Sequence, residues 1–256
     1  MVPREAEMSI VASNTLEAFR SAVALDLITH AVLHNAELDD VTLSTLKLCA
    51  FPHGLGMRLK SQAGKEALAM MDDAIQRLTS PMTQDTLDEL AADYAAIYLT
   101  YAYRASPCES VWLDQEGLGM QAPMFQVREF YRRYDLAATN WRMRPDDHLV
   151  IELHFLACLM QDDHPQALPE AARFMDEHLL RWLPQFARRV AACCATPFYA
   201  AAALLTAAYC EELRDVLADL LSAPRPRPEE VEARMQPRQN VRVEPLQYLP
   251  GLAPSW

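Results

Sequence analysis

Two short stretches hold the side chains best equipped for chemistry. One is Arg144-Pro145-Asp146-Asp147-His148, running on into Leu149-Val150-Ile151-Glu152-Leu153-His154. The other is Pro107-Cys108-Glu109-Ser110-Val111-Trp112. Asp147, Glu109 and Glu152 are carboxylates able to receive guanidinium groups through forked, charge-assisted hydrogen bonds. Trp112, Tyr101 and Tyr131 offer aromatic surface on which an apolar chain can lie. A cationic peptide with an apolar segment would satisfy both kinds of group. The bland alternatives are that Asp147 caps a helix, Glu109 and Ser110 close a loop, and the aromatics are core.

The same acids invite a metal reading. His148 and Glu152, four residues apart, share a helical face with Asp147 beside them. His154 falls two residues past Glu152, on nearly the opposite side of a helix, so this ligand set does not converge. His30 and His34 share a face without an evident acid partner and read as an exposed or core pair. Asp162-Asp163-His164 reads as a solvated helix end. No nucleophile elbow, Walker loop, dinucleotide fingerprint or His-Glu-x-x-His helix is present. The expectation is a protein without catalytic residues, metal or cofactor.

These groups need a scaffold, and the pattern of the chain predicts helices throughout. Glycine is scarce, at 6 of 256 residues, while Ala, Leu, Glu and Arg dominate. Pro145 favours an extended residue before it and pre-sets its own φ, so a helix is expected to begin there with Asp146 and Asp147 in its first turn. Leu149, Leu153, Leu156 and Met160 make its apolar stripe, widened by Val150, Ile151, Phe155 and Leu159. Upstream, helices are expected from Leu16 to His34, from Asp39 or Asp40 to Cys49, from Gln62 to Leu78, and from Thr83 through Tyr101. A loop rich in large and polar residues follows, and Pro123 opens a helix carrying Phe130, Tyr131 and Tyr134. Beyond the anchor, Leu168-Pro169 starts a helix kinked at Pro184. Thr196-Pro197, a cap followed by a first-turn proline, starts the last core helix, to about Leu221.

That break also answers a membrane alarm. Val190 to Cys210 is uncharged and long enough to span a bilayer, but it is mostly Ala and is divided at Thr196. After Ser222 the run Ala223-Pro224-Arg225-Pro226-Arg227-Pro228 cannot continue a helix. Residues 1–222 are therefore expected to form one all-α domain, and residues 223–256 an extended tail with a short helix from Glu229 to Met235. Composition bounds the function: a net charge of −12 argues against a general nucleic-acid binder and suits a basic partner. Six cysteines without a CxxC pair read as small buried residues in a reducing compartment. The opening residues lack a charged-then-apolar leader, which predicts a cytoplasmic protein without stable membrane insertion.

Taken in order, five motifs resemble one family. They are Asp93-Tyr94, Pro107-x-Glu109-Ser110-Val111-Trp112, Phe130-Tyr131, Pro145-x-Asp147-His148-Leu149 with Glu152-Leu153, and His178-Leu179-x-x-Trp182. The chain resembles the TorD-like redox-enzyme maturation chaperones, and Ser110-Val111-Trp112-Leu113-Asp114 looks most like the dimethyl sulfoxide reductase leader-binding branch. The resemblance covers roughly Thr83 to Leu221 by motif and the first eighty residues by helix pattern. It implies an all-α multi-helix bundle without catalytic activity, a monomer or homodimer. Its partners would be the twin-arginine leader and the apo-form of a molybdoenzyme catalytic subunit, held back from export until the cofactor is inserted. Pro107, Trp112, Pro145, Asp147 and His148 match positions implicated in leader binding in that family, and Tyr101 takes an aromatic position. Cys108 departs from the family's usual aromatic residue, Tyr134-Asp135 from its small-residue turn, and the tail is longer. Two other functions fit the residues: an adaptor for the body of a respiratory reductase subunit, and a helical metalloenzyme using Asp147, His148 and Glu152.

Overall fold

The computed structural model describes residues 4–138 and 144–235, with side chains from Asn14 onwards. Helix α1 spans Arg4–Asn35, α2 Asp40–Leu48, α3 Gln62–Arg77 and α4 Gln84–Tyr94. A one-turn α5 covers Glu109–Leu113, α6 Ala122–Arg132, α7 Leu149–Gln161, α8 Ala167–Phe174, α9 Leu180–Cys193, α10 Pro197–Leu221 and α11 Pro228–Met235. Among the described residues there is no strand beyond one isolated bridge, so the fold is all-α. Two compact units divide between Arg225 and Pro226. Of the tail expected from Ala223, residues 236–256 lie outside the described residues.

The helix starts follow the expected chemistry in three places. Asp39, Ser61 and Thr83 stand in extended conformation and accept the N–H groups of Thr42, Gly64 and Thr86 with their side chains. At α10 the proline occupies the first turn as expected, but Thr196 does not cap with its hydroxyl. Its backbone N–H and hydroxyl both reach Asp93 Oδ2, 2.6 Å away, while Ala195 N and the Tyr103 hydroxyl reach Oδ1. One buried carboxylate on α4 thus ties down the start of α10. The uncharged run from Val190 is broken here, and no described helix is long and apolar enough to cross a membrane.

α7 and α10 carry most of the packing of the larger unit. The long neighbour of α7 is α1, and α10 lies against α9 and α3. Phe155, Phe174, Phe130 and Tyr131 meet edge-to-face or tilted where α6, α7 and α8 converge. α1 meets α10 through polar groups as well. His30 Nδ1 and His34 Nε2 lie 3.0 and 2.9 Å from the Thr206 hydroxyl, making this a buried core pair. Two π-helical turns widen the ladder, at Ala95–Leu99 after α4 and at Met175–Leu179 between α8 and α9. Pro184 stands inside α9, and the wide turn lies just upstream of it.

Candidate functional site

The anchor helix does not begin at Pro145. His148 is its N-cap, in extended conformation, and its ring Nδ1 accepts the Val150 N–H at 3.1 Å. The cause is a pairing that sequence spacing does not reveal. Glu109 N donates to Asp147 O at 3.0 Å and Leu149 N to Pro107 O at 2.8 Å, an antiparallel bridge between Cys108 and His148. Ahead of the bridge Pro145–His148 closes as a turn, His148 N donating to Pro145 O at 3.1 Å, so the helix starts only after His148. Asp147 Oδ2 accepts the Ser110 N–H at 2.8 Å and the Ser110 hydroxyl at 2.5 Å. The two chemical stretches of the sequence are therefore one structure, laced by backbone and side chain.

Behind the bridge lies a polar cluster closed to water. Glu109, Ser110, Asp147, Glu152 and His178 are all fully buried. His178, on the π turn, places Nδ1 3.0 Å from both Glu109 oxygens. Glu152 hydrogen-bonds Glu109 and receives the Trp182 indole N–H on Oε2 at 3.3 Å. Burial, then the Glu109 and Asp147 charges, push the Glu152 carboxyl well above its ordinary range and favour its protonated form. Burial also raises Asp147, offset by the Ser110 hydrogen bonds. His148 is driven down by burial and then by the positive Arg144. Among the described residues, Asp147 Oδ1 and His178 Nε2 have no hydrogen-bond partner.

Other predicted residues lie in front of the bridge or within it. Tyr101 is 44% exposed, at φ 54° in the loop after α4, and Arg104 follows at φ 52°. Both are left-handed conformations uncommon in non-glycine residues. Trp112 is half-buried and donates its indole N–H to Ser106 O at 2.7 Å. Pro145 is half-buried and Pro107 buried. Tyr131 is buried, its hydroxyl given to Asp146 O at 2.9 Å, and so offers no groove surface. His154, at the far side of α7, does not join His148 and Glu152. Among the described residues no three His, Cys, Asp or Glu side chains are disposed to hold a metal ion.

Three residues that the sequence motifs contain were given no site role there. Asp146 pairs with Arg128 of α6 at 2.5 Å, and α6 is thereby fixed to the bridge. Asp93 organises the loop ahead of α10, through the four hydrogen bonds already given. Arg144, half-buried, donates from Nη1 to Asn35 Oδ1 at 2.6 Å and from Nη2 to Asn35 O at 3.1 Å, at the C-terminus of α1. Its charge also bears on Tyr101 and Cys108, which places it among the site residues. Four-residue spacing could have linked Asp146 to no one, since its partner lies on another helix.

Comparison with known proteins adds a second line. Residues 59–188 match the family model described as nitrate reductase delta subunit. Chaperone protein TorD of Vibrio vulnificus (strain YJ016) is 32% identical over 187 residues, 70% of this chain and 84% of that protein. The protein of the same name from Vibrio cholerae serotype O1 (strain ATCC 39541 / Classical Ogawa 395 / O395) is 35% identical over 158 residues, 58% of this chain and 70% of its own length. That of Photobacterium profundum is 29% identical over 174 residues, covering 64% and 78%. All three are named TorD; the narrower likeness to the dimethyl sulfoxide reductase branch rests on Ser110–Asp114 alone.

Proposed function

This chain belongs to the TorD-like redox-enzyme maturation chaperones, and from that premise we propose that it binds the twin-arginine leader of a molybdenum-cofactor enzyme. It holds the apo-enzyme in the cytoplasm while cofactor is inserted, and itself catalyses nothing. The observation that carries the reading is the Asp147 carboxylate. One oxygen is fully used by Ser110, while the other is an acceptor without a partner among the described residues. A guanidinium N–H is the donor that would satisfy it. Tyr101, Trp112, Pro145 and His148 surround the approach and provide the surface for the leader's apolar segment. Glu109, Glu152 and Ser110 act from behind, holding Asp147 and the bridge in position. Because Asp147 is fully buried, the leader enters by displacing its cover, and the left-handed turn at Tyr101 and Arg104 is the segment that gives way.

Titration calorimetry tests this with a synthetic leader carrying both arginines and another with both changed to glutamine. Asp147→Asn keeps an acceptor for Ser110 but turns an N–H toward the incoming cation. It should weaken binding of the intact leader by ~2 kcal/mol, about thirtyfold, with helicity unchanged. The glutamine leader should barely distinguish the two proteins, which is the coupling sought. Equal affinity of both proteins for the intact leader moves the site elsewhere.

A second reading, an adaptor for the body of a reductase subunit, draws on a different surface. A trough of about 310 Å³ between α1 and α2 is lined by Leu25, Ile28, Val32, Val41 and Leu46. Val41→Arg would block it, and should impair capture of leaderless apo-enzyme while leaving leader affinity alone.

A further inference from the structure

Most arginines around the site are held by carboxylates: Arg128 by Asp146, Arg133 and Arg173 by Glu170. Among the described residues Arg144 has no such partner. Its forked contact is to two neutral oxygens of one residue, the side-chain amide and main-chain carbonyl of Asn35. Asn35 is the last residue of α1, where unsatisfied carbonyls and the helix dipole favour a cation. The Tyr94 hydroxyl donates to that same carbonyl at 2.9 Å and fixes its direction. The result is a built acceptor pair matched to the spacing of a guanidinium fork. It is filled in cis by a half-buried side chain that neutral hydrogen bonds hold in place, the easiest kind of arginine to displace.

Its place in the molecule makes this more than a staple. Arg144 precedes Pro145 and the bridge that carries Asp147, and its charge acts on Tyr101, Cys108 and His148. A cationic peptide arriving at Asp147 therefore meets a resident cation first. We propose that the C-terminus of α1 is a second guanidinium seat of the leader site, occupied in the free chaperone by Arg144, which an arginine of the leader displaces. This rests on the leader reading above for the identity of the competitor, but the seat itself does not. In it Arg144 is a specificity device: a peptide with one cation cannot both engage Asp147 and expel the resident, whereas one with two adjacent arginines can.

Two measurements separate the seat from the leader. In the first, Arg144→Ala and wild type are titrated with methylguanidinium and with methylammonium, following the Asn35 side-chain amide by NMR. The seat requires a saturable shift with methylguanidinium in Arg144→Ala, little with methylammonium because it lacks the fork, and none in wild type. In the second, leader affinity is measured on wild type, Arg144→Ala and Arg144→Lys. Removal of the resident should tighten the intact leader about fivefold or more, with Lys intermediate, and should not tighten the leader whose arginines are glutamines. Restored seat binding with no leader binding by any variant retains the seat and refutes the leader as its competitor. Leader binding that is unchanged or weaker in Arg144→Ala, with no methylguanidinium shift, overturns the inference and leaves the Asp147 reading standing. A destabilised Arg144→Ala does not blunt the test, since Arg144→Lys keeps the charge and loses only the fork.

Discussion

Glu152 is fully buried between Glu109 and the indole of Trp182. Protonated, it donates to one and accepts from the other; ionised, it would face the Glu109 and Asp147 charges without screening. Its folded-state pKa is raised, so the folded chain binds the extra proton. That favours folding below the ordinary carboxyl range, and the advantage is lost as pH rises toward the folded value. Glu152→Gln keeps the geometry, with an amide N–H for Glu109 and a carbonyl for Trp182, and removes the titration. We expect the variant to be more stable than wild type at pH 8, with the gap closing as pH falls to about 4.5, by urea unfolding. A constant gap, or none, would mean that Glu152 is not the group that protonates. At this scale the sequence singled out Glu109, Asp147 and Glu152 as accessible acids, and the structure buries all three. Hydropathy marks an acid as surface; only the pairing partners, His178, Trp182 and Ser110, which come from other elements, decide otherwise.

Helices were legible because apolar periodicity and capping residues are local. The misplaced start of α7 was not local: Pro145, Asp146 and Asp147 satisfy every rule for a first helical turn, yet they form a separate turn and His148, bridged to Cys108, is the cap. The junction of α1 with α10 shows the same limit. Four-residue spacing paired His30 with His34 correctly, but the hydroxyl that joins them is 172 residues from His34 along the chain. The Thr206 hydroxyl donates to Ala202 O at 2.8 Å, so both imidazoles present N–H groups to its oxygen, and His34 Nδ1 accepts from Tyr98. Both rings are neutral, pushed down to about 3, by burial in each case. A folded pKa below the unfolded one gives stability that is present above pH 6.5 and lost as pH falls toward 3. Two such groups impose a slope of up to ~2.7 kcal/mol per pH unit in that window. His30→Phe, which keeps an aromatic ring against Tyr209, should roughly halve that part of the slope between about pH 6 and 4. An unaltered pH profile in the variant would place the acid sensitivity elsewhere. Thr206→Val should cost ~2 kcal/mol or more at neutral pH, since it strands two buried N–H groups.

For the whole molecule the sequence supplied the net charge of −12, and the structure qualifies what that number does. Asp26, Asp93, Asp147 and Glu152 are buried, and burial favours the neutral form of Glu152, so part of the formal charge stands inside hydrogen-bond networks rather than on the surface. The remainder still surrounds the molecule with a negative field, and under the proposed function a leader with two guanidinium groups is drawn through it. Such steering acts on encounter, not on the bound contacts, and the Debye length falls from ~14 Å at about 50 mM salt to ~6 Å at about 300 mM. Association of the intact leader should therefore slow about tenfold or more across that range, while dissociation, set by the guanidinium bond to Asp147 Oδ1 and the apolar contacts, changes little. A leader whose arginines are glutamines should show almost no salt dependence in either rate. Stopped-flow fluorescence with a labelled leader measures both. If the salt effect instead falls on dissociation, the arginines are held by exposed, screened charges at the rim, and Asp147 is not their seat.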